Sequence, residues 1–232
     1  MTELQPLNKL IDLTGKTAIV TGGALGIGYG ISYRLAEAGA YVIIANRTAE
    51  EGDKAAAQLV EKGWKAKAIH TDISVEEQVI SLVKETVSLT GSVDILVNNA
   101  GIFPSIPVSQ MTLADFEKVL SINLKGVFLT SKYVSEEMKS KAKGGKIINV
   151  TSIDALHPSS IGLAHYDASK HGVWGFTKNL ALELAAHKIW VNAIAPGGIL
   201  TPGVQKMQSS TPTSTGVDMS KVLETFLNKI PM

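Results

Sequence analysis

The 232-residue chain has no cysteine, which excludes disulfides and thiolate metal ligands and fits a reducing compartment. Aromatic residues make up only 6% while hydrophobic residues reach 45%, so an ample core must be built from Ala, Val, Ile and Leu. Neither sign of charge dominates. The 22 Lys and Arg against 21 Asp and Glu leave a formal net charge of +1, and no global field draws the chain to nucleic acid or to an anionic membrane. No apolar run approaches the roughly 18 residues of a membrane span. The segment Met1–Asp12 mixes Glu3, Lys9 and Asp12 with apolar residues and lacks a signal-peptide core. The expectation is a soluble cytoplasmic protein whose partner is a small molecule.

What is present is an alternation of short β-branched runs with longer helical patterns. Thr17–Thr21, Tyr41–Ala45, Val93–Val97, Lys146–Val150 and Ile189–Ile194 read as strands buried on both faces, with Ala66–His70 a weaker sixth. Helices are expected near Ile27–Ala38, Ala49–Glu61, Val75–Leu89, Leu113–Lys139 and Tyr166–Ala186. Thr48 and Ser74 are placed as N-caps, Gly39 and Gly63 as C-cap residues. Uninterrupted alternation with right-handed crossovers predicts an α/β fold. It is a single doubly wound, Rossmann-like domain with helices on both faces of a parallel sheet of six strands, order 3-2-1-4-5-6. The one low-complexity stretch, Gln208–Thr215, reads as a polar loop.

Three groups of residues carry chemistry. The first strand runs into Thr21-Gly22-Gly23-Ala24-Leu25-Gly26-Ile27-Gly28, and a helix follows at once. Glycines at 22, 26 and 28 permit a tight turn and close approach of backbone to a pyrophosphate, which the helix N-terminus would receive. Glycines also serve ordinary turns; the position after a strand and before a helix favours the nucleotide reading. The second strand ends in Asn46-Arg47, where an NAD-binding fold usually carries a carboxylate for the adenosine ribose. No carboxylate repels a 2′-phosphate there, and the Arg47 guanidinium can pair with one. NADP(H) is therefore favoured, with NAD(H) possible; the plainer alternative makes Arg47 a solvated residue opening the next helix. Finally, Tyr166-Asp167-Ala168-Ser169-Lys170 puts a phenol and an ammonium on one helix face at i and i+4. A nearby cation stabilises a phenolate and brings a group of pKa near 10 toward a working range. Ser152 ends the fifth strand at the edge where such sheets bind ligands, and its hydroxyl is placed to meet a substrate oxygen.

Together these residues resemble the short-chain dehydrogenase/reductase family, from about Leu13 to Thr201. The resemblance implies that Gly22, Leu25, Gly26, Ile27, Gly28, Asn46 and Arg47 bind cofactor. It also implies that Asp72 holds the adenine amino group, with Ile73 beside it. Asn98-Asn99-Ala100-Gly101 is similar to the family segment that supports the sheet and packs along the cofactor. Asn123 matches the asparagine credited with anchoring a water in a proton relay. Ser152, Tyr166 and Lys170 complete the catalytic set, and Pro196-Gly197-Gly198-Ile199 with Thr201 resembles the turn that frames the nicotinamide. Each has a duller alternative: Asn98 and Asn123 as satisfied polar groups, Asp72 as a helix cap, Pro196-Gly197 as a turn. Family members usually continue past Pro231-Met232 into a further helix and a last strand, which this sequence lacks.

The implied reaction moves a hydride between a nicotinamide cofactor and a carbonyl or secondary alcohol. Tyr166 transfers the proton, Lys170 lowers its pKa, and Ser152 orients the oxygen. The expected substrate walls are Ile102, Phe103, Pro104, Ile106, Ile153–His157, His165 and Ile199 onward, with Asp154 and His157 as polar contacts. That mixture suits a small polar ketone, diol or polyol. The histidines lack a metal-site spacing, and no metal is expected. Two competitors stand beside this reading. One is a 3-oxoacyl-[acyl-carrier-protein] reductase docking its carrier on Lys118, Lys125, Lys132 and Lys139, which recur every seven residues. The other is a catalytically silent dinucleotide sensor on the same fold. A homodimer through the two long helices, or a homotetramer, is expected from the resemblance.

Overall fold

A computed structural model of the chain describes residues 7–201; the Gln208–Thr215 loop expectation lies outside them. The elements run α1 (Leu7–Leu10), β1 (Thr17–Thr21), α2 (Gly26–Glu37), β2 (Tyr41–Asn46), α3 (Ala49–Val60) and β3 (Ala66–His70). They continue with α4 (Glu76–Thr90), β4 (Ile95–Asn98), α5 (Leu113–Leu120), a π-helical turn (Ser121–Lys125), α6 (Gly126–Lys141) and β5 (Gly145–Val150). A 3₁₀ turn (Ile153–Ala155), α7 (Ala164–Leu184), a second 3₁₀ turn (Ala185–His187) and β6 (Ile189–Ile194) complete the described part.

The six strands form one parallel sheet in the order β3-β2-β1-β4-β5-β6, as the alternation predicted. Its central strands read as unbroken apolar runs because successive residues enter two different cores. Ile19, Ile43, Leu96 and Ile147 face one layer, meeting Leu82 of α4, Met138 of α6 and Leu184 of α7. Val20, Val42, Ile44 and Val97 face the other, against Ala36 of α2 and Leu59 of α3. Strand β6, last in the order among the described strands, departs from the expectation of burial on both faces. Its exposure alternates, and Trp190 is 62% exposed with the Lys146 ammonium over its ring.

Two local expectations change. The helix read as Leu113–Lys139 is interrupted by the π-helical turn, which carries Asn123 into the interior. The turn falls between Lys118 and the later lysines, while Lys125 and Lys132 both act on the Glu76 carboxylate. Lys132 pairs with Glu76 directly. The caps shift too. Thr48 stands at the N-cap of α3 without a side-chain bond, and Val75 rather than Ser74 caps α4, because Ser74 donates to Asp72.

β1 lies between β2 and β4, where the chain switches direction across the sheet. Crevices of doubly wound folds open at such a point, beyond the C-terminal ends of the strands.

Candidate active site

A cleft of about 710 Å³ opens there, running from the glycine turn after β1 to the segment after β6. Gly22 and Gly26 both adopt left-handed backbone, at φ +61° and +53°. A Cβ on Gly28 would lie 2.1 Å from the Gly22 carbonyl oxygen, so only glycine lets α2 start this close to the turn. The turn is tied to the loop after β4. Asn99 Nδ2 donates to the carbonyls of Thr21 and Gly22, and Thr21 Oγ1 accepts from the main-chain N–H groups of Asn99 and Ala100.

Helix α2 begins at Leu25 without a side-chain cap and with no acidic residue in its first turn. Its first amides therefore lack the partner a cap would supply, at a helix end that lines the cleft through Leu25, Gly26, Ile27 and Gly28. Uncompensated donors at the positive end of a helix dipole fit a diphosphate. The residues present thus suit a dinucleotide.

At the β2 end of the cleft, Asn46 is buried and its Nδ2 donates to the Thr48 carbonyl at 2.9 Å and to Glu51 Oε2 at 3.3 Å. The carbonyl oxygen of that amide is left as the acceptor. Arg47 is exposed and, with Glu51, lines the cleft. Asp72 Oδ1 accepts from the N–H and hydroxyl of Ser74, at 2.9 and 2.6 Å. Burial raises the Asp72 pKa, but the Ser74 bonds and the charges of Arg47 and Lys125 outweigh it and hold the carboxyl below its ordinary value. The capping alternative thus describes one oxygen of Asp72, while the residue still faces the cleft beside Ile73.

At the other end Ser152, Tyr166 and Lys170 come together. Lys170 is buried, donates to the Val150 carbonyl at 2.8 Å, and keeps its Nζ 5.6 Å from the Tyr166 ring centre. Burial pushes its pKa down from 10.5 to about 8. The Tyr166 pKa is raised, chiefly by burial; the Ser152 hydroxyl opposes this, and the negative charges of Asp154 and Asp167 add to it. The expected downward pull of Lys170 on the phenol is therefore not the controlling influence, because desolvation of the ring outweighs it and the ammonium is engaged at Val150. Ser152 is buried at the start of the 3₁₀ turn, donating to Asp154 Oδ2 at 2.9 Å. Phe103 meets the Tyr166 ring edge-on. Pro196, whose carbonyl accepts from Ile153 N–H, lines the cleft with Gly197, Gly198 and Ile199, and Thr201 does so beside Gly26.

Asn123 does not line the cleft. Its carboxamide spans both main-chain polar groups of Ile102 and reaches Ser169, so it shapes the wall from behind. Asn98 lies deeper still, in a buried network with Thr130, Ser131 and Asn149 that continues to Thr177. His157 was expected to contact substrate and instead sits exposed, away from the cleft, because the 3₁₀ turn carries the chain outward after Ala155. His165 is fully buried and, like Pro104 and Ile106, does not line the cleft. Glu51 and Ser159 line it without having been singled out. The Thr48-x-x-Glu51 spacing was a visible sign for the first, although the glutamate binds Asn46 rather than closing a capping box.

The family model described as short chain dehydrogenase matches residues 16–212. The chain belongs to the short-chain dehydrogenase/reductase family. A 3-oxoacyl-[acyl-carrier-protein] reductase from Synechocystis sp. is 38% identical over 198 residues, covering 85% of this chain and 79% of that protein. Dehydrogenase/reductase SDR family member 4 from Oryctolagus cuniculus is 41% identical over 190 residues, 82% of this chain and 72% of the relative. Among solved structures, an NAD+-bound xylitol dehydrogenase superposes with a TM-score of 0.88 at 33% identity, covering 95% of this chain and 86% of that one. This short-chain dehydrogenase is an oxidoreductase of a family that uses nicotinamide cofactors. No helix among its described residues is long and apolar enough to cross a membrane.

Proposed function

We propose that the protein interconverts a small polar ketone and its secondary alcohol, with a diol or polyol as the alcohol, using NADP(H) in preference to NAD(H). The observation that carries this reading is the convergence of Ser152, Tyr166 and Lys170 in the same cleft that begins at the uncapped end of α2. The bound nicotinamide supplies or accepts the hydride. Gly22, Leu25, Gly26, Ile27 and Gly28 would hold the diphosphate, Asn46 and Arg47 the adenosine ribose, and Asp72 and Ile73 the adenine. Asn99, Ala100, Gly101, Lys170, Pro196, Gly197, Ile199 and Thr201 would hold the nicotinamide half. Tyr166 gives its hydroxyl proton to the substrate oxygen in reduction and takes it back in oxidation. Lys170, largely freed of water, keeps a cation beside that hydroxyl. Asn123 fixes the wall at Ile102 against which the substrate rests.

The polar lining at Ser152, Asp154 and Ser159, among apolar Ile102, Phe103 and Leu163, supports a small hydroxylated substrate over a plain hydrocarbon ketone. A second reading, reduction of a 3-oxoacyl thioester on an acyl carrier protein, is favoured by relatives of that name at 38% and 39% identity. The pairing of Lys132 with Glu76 weighs against it, since part of that basic face is neutralised within the chain. Absorbance of the reduced nicotinamide, followed with polyols, diols, hydroxyketones and an acetoacetyl thioester and with both cofactors, separates the two. Turnover confined to the thioester would overturn the polyol reading.

The same proposal includes a homodimer through α5, α6 and α7. Leu113 is 72% exposed, Leu182 is 77% exposed, and the half-exposed Phe128 meets Phe176 edge-to-face between α6 and α7, apolar groups that a partner's helices would cover. Sedimentation at micromolar concentration tests it; a monomer would refute it.

A further inference from the structure

The loop after β4 and the loop leading from the first 3₁₀ turn into α7 meet in a seam at the Tyr166 end of the cleft. The Ile106 main-chain N–H donates to the Gly162 carbonyl at 2.9 Å, and the Ser105 hydroxyl donates to the Ile161 carbonyl at 3.4 Å. Both loops line the cleft up to this seam and no further. Phe103 on one side and Ser159, Ser160 and Leu163 on the other are wall residues, whereas the four residues joined in the seam are not. Ile161 is 87% exposed, so solvent lies beyond it. The seam also stands close to the reacting groups. Phe103 rests edge-on against the Tyr166 ring, and Gly162 leads into the first turn of α7, which carries Tyr166.

Only glycine permits so close a meeting. Gly162 has φ +87°, a left-handed conformation that side chains avoid. A Cβ there would lie 2.6 Å from Ser105 Oγ and 3.1 Å from the Ile106 nitrogen. The hydroxyl can swing away, at the loss of its bond to Ile161. The Ile106 nitrogen is main chain and cannot, so the two loops must draw apart and the bond that joins them must lengthen.

We propose that Gly162 is a specificity-determining residue: by letting the two loops meet, it sets how far a substrate can extend past Tyr166. The inference rests on the oxidoreductase reading above and identifies what limits substrate length within it. A chain that continues beyond the reacting carbonyl runs into the closed seam. Parting the loops opens an exit toward solvent, with the Ile161 side chain as an apolar support beside it.

Gly162→Ala tests this, with Gly63→Ala as its control. Gly63 has nearly the same backbone, φ +83°, but a Cβ there meets nothing within 4 Å, so it carries the conformational cost without the seam. Reduction of 1-hydroxypropan-2-one and 1-hydroxyoctan-2-one is compared by kcat/KM, and protection of the Ile106 amide against hydrogen exchange is measured on the same proteins. The parent should protect that amide and favour the short ketone by at least about tenfold, the scale on which a closed pocket discriminates by size. In Gly162→Ala the ratio should move toward the long ketone by about tenfold, with Ile106 protection lost and cofactor affinity unchanged. Gly63→Ala should match the parent in both readings. An unmoved ratio in Gly162→Ala, or an equal shift in Gly63→Ala, would overturn the proposal. If Gly162→Ala does not fold, Ile106→Pro removes the N–H from the opposite loop and must give the same shift. A parent indifferent to length overturns the proposal without any variant. A parent that reduces no ketone at all would refute the oxidoreductase reading and this proposal with it, whereas missing length selectivity refutes this proposal alone.

Discussion

The Asn123 carboxamide holds both main-chain groups of Ile102: its Oδ1 accepts from the Ile102 N–H and its Nδ2 donates to the Ile102 carbonyl, each at 2.9 Å. The pairing mimics one rung of a sheet, made by a side chain reaching from a π-helical turn 21 residues away. It fixes the loop after β4, whose Gly101, Ile102 and Phe103 form one wall of the cleft.

Asn123→Ala should leave the two part-buried main-chain groups of Ile102 without their side-chain partner. A stability loss of roughly 2–4 kcal/mol is expected, from about 1–3 kcal/mol per stranded group with partial relief by water. Cofactor affinity should weaken as well, because the wall loosens. Denaturant titration and cofactor titration on the same samples check both. Unchanged stability would show that the Ile102 pairing contributes nothing.

Tyr166→Phe removes only the hydroxyl. Turnover should fall at least about a hundredfold, the ordinary contribution of a general acid, while cofactor still binds. The raised pKa of Tyr166 sets the pH dependence in the parent. Reduction needs the protonated phenol and should run undiminished through neutral pH, whereas oxidation needs the phenolate and should climb as pH rises. More than a tenth of kcat surviving in the variant, or an oxidation rate flat in pH, would contradict the assignment.

Lys170→Met should abolish turnover and stabilise the cofactor-free protein at pH 7. The folded pKa of about 8 against an ordinary 10.5 means that the unfolded chain holds the extra proton between those values. Stability attributable to this group is therefore lowest below pH 8, rises between pH 8 and 10.5, and is unpenalised above. The difference, 10.5 − 8, is about 2.5 units or roughly 3 kcal/mol at 1.36 kcal/mol per unit. Losing the bond to the Val150 carbonyl takes back about 1 kcal/mol, so a net gain of roughly 2 kcal/mol is expected. Thermal melts at pH 7 and pH 10.5 should show the advantage at the first and not at the second. A variant less stable at pH 7 would mean that the ammonium is not penalised by burial.

Cofactor choice turns on two adjacent residues. Arg47→Ala should weaken NADPH by about tenfold to a hundredfold through loss of a charge-assisted bond to the 2′-phosphate, and leave NADH nearly unaffected. Asn46→Asp should reverse the preference by adding repulsion. The parent's selectivity should be moderate, because Glu51 lies in the same part of the cleft and the Asn46 amide, its NH₂ already committed, can still accept from an unphosphorylated ribose. Dissociation constants for both cofactors on three proteins test this. Tighter NADH binding by the parent, with no selective effect of Arg47→Ala, would sink it.

Sequence alone determined what depends on near neighbours along the chain. The strand periods, the Gly22–Gly28 turn and the four-residue step from Tyr166 to Lys170 are local, and alternation of strand and helix leaves few sheet orders open. Other features were settled only by tertiary packing. The sequence offered Asn123 for a proton relay and Asp154 and His157 as substrate contacts, but a polar side chain takes whichever partner the folded chain brings within reach. Ile102 claimed the first, Ser152 and Ser159 claimed the second, and the outward path after Ala155 left the third in solvent. The π-helical turn belongs to the same class, since the gain that offsets its poorer helix geometry is a bond to a distant loop. Desolvation likewise has no sequence signature: Lys170 is shifted and Tyr166 raised chiefly because sheet and helices close over them, with Asp167 beside Tyr166 adding a smaller push.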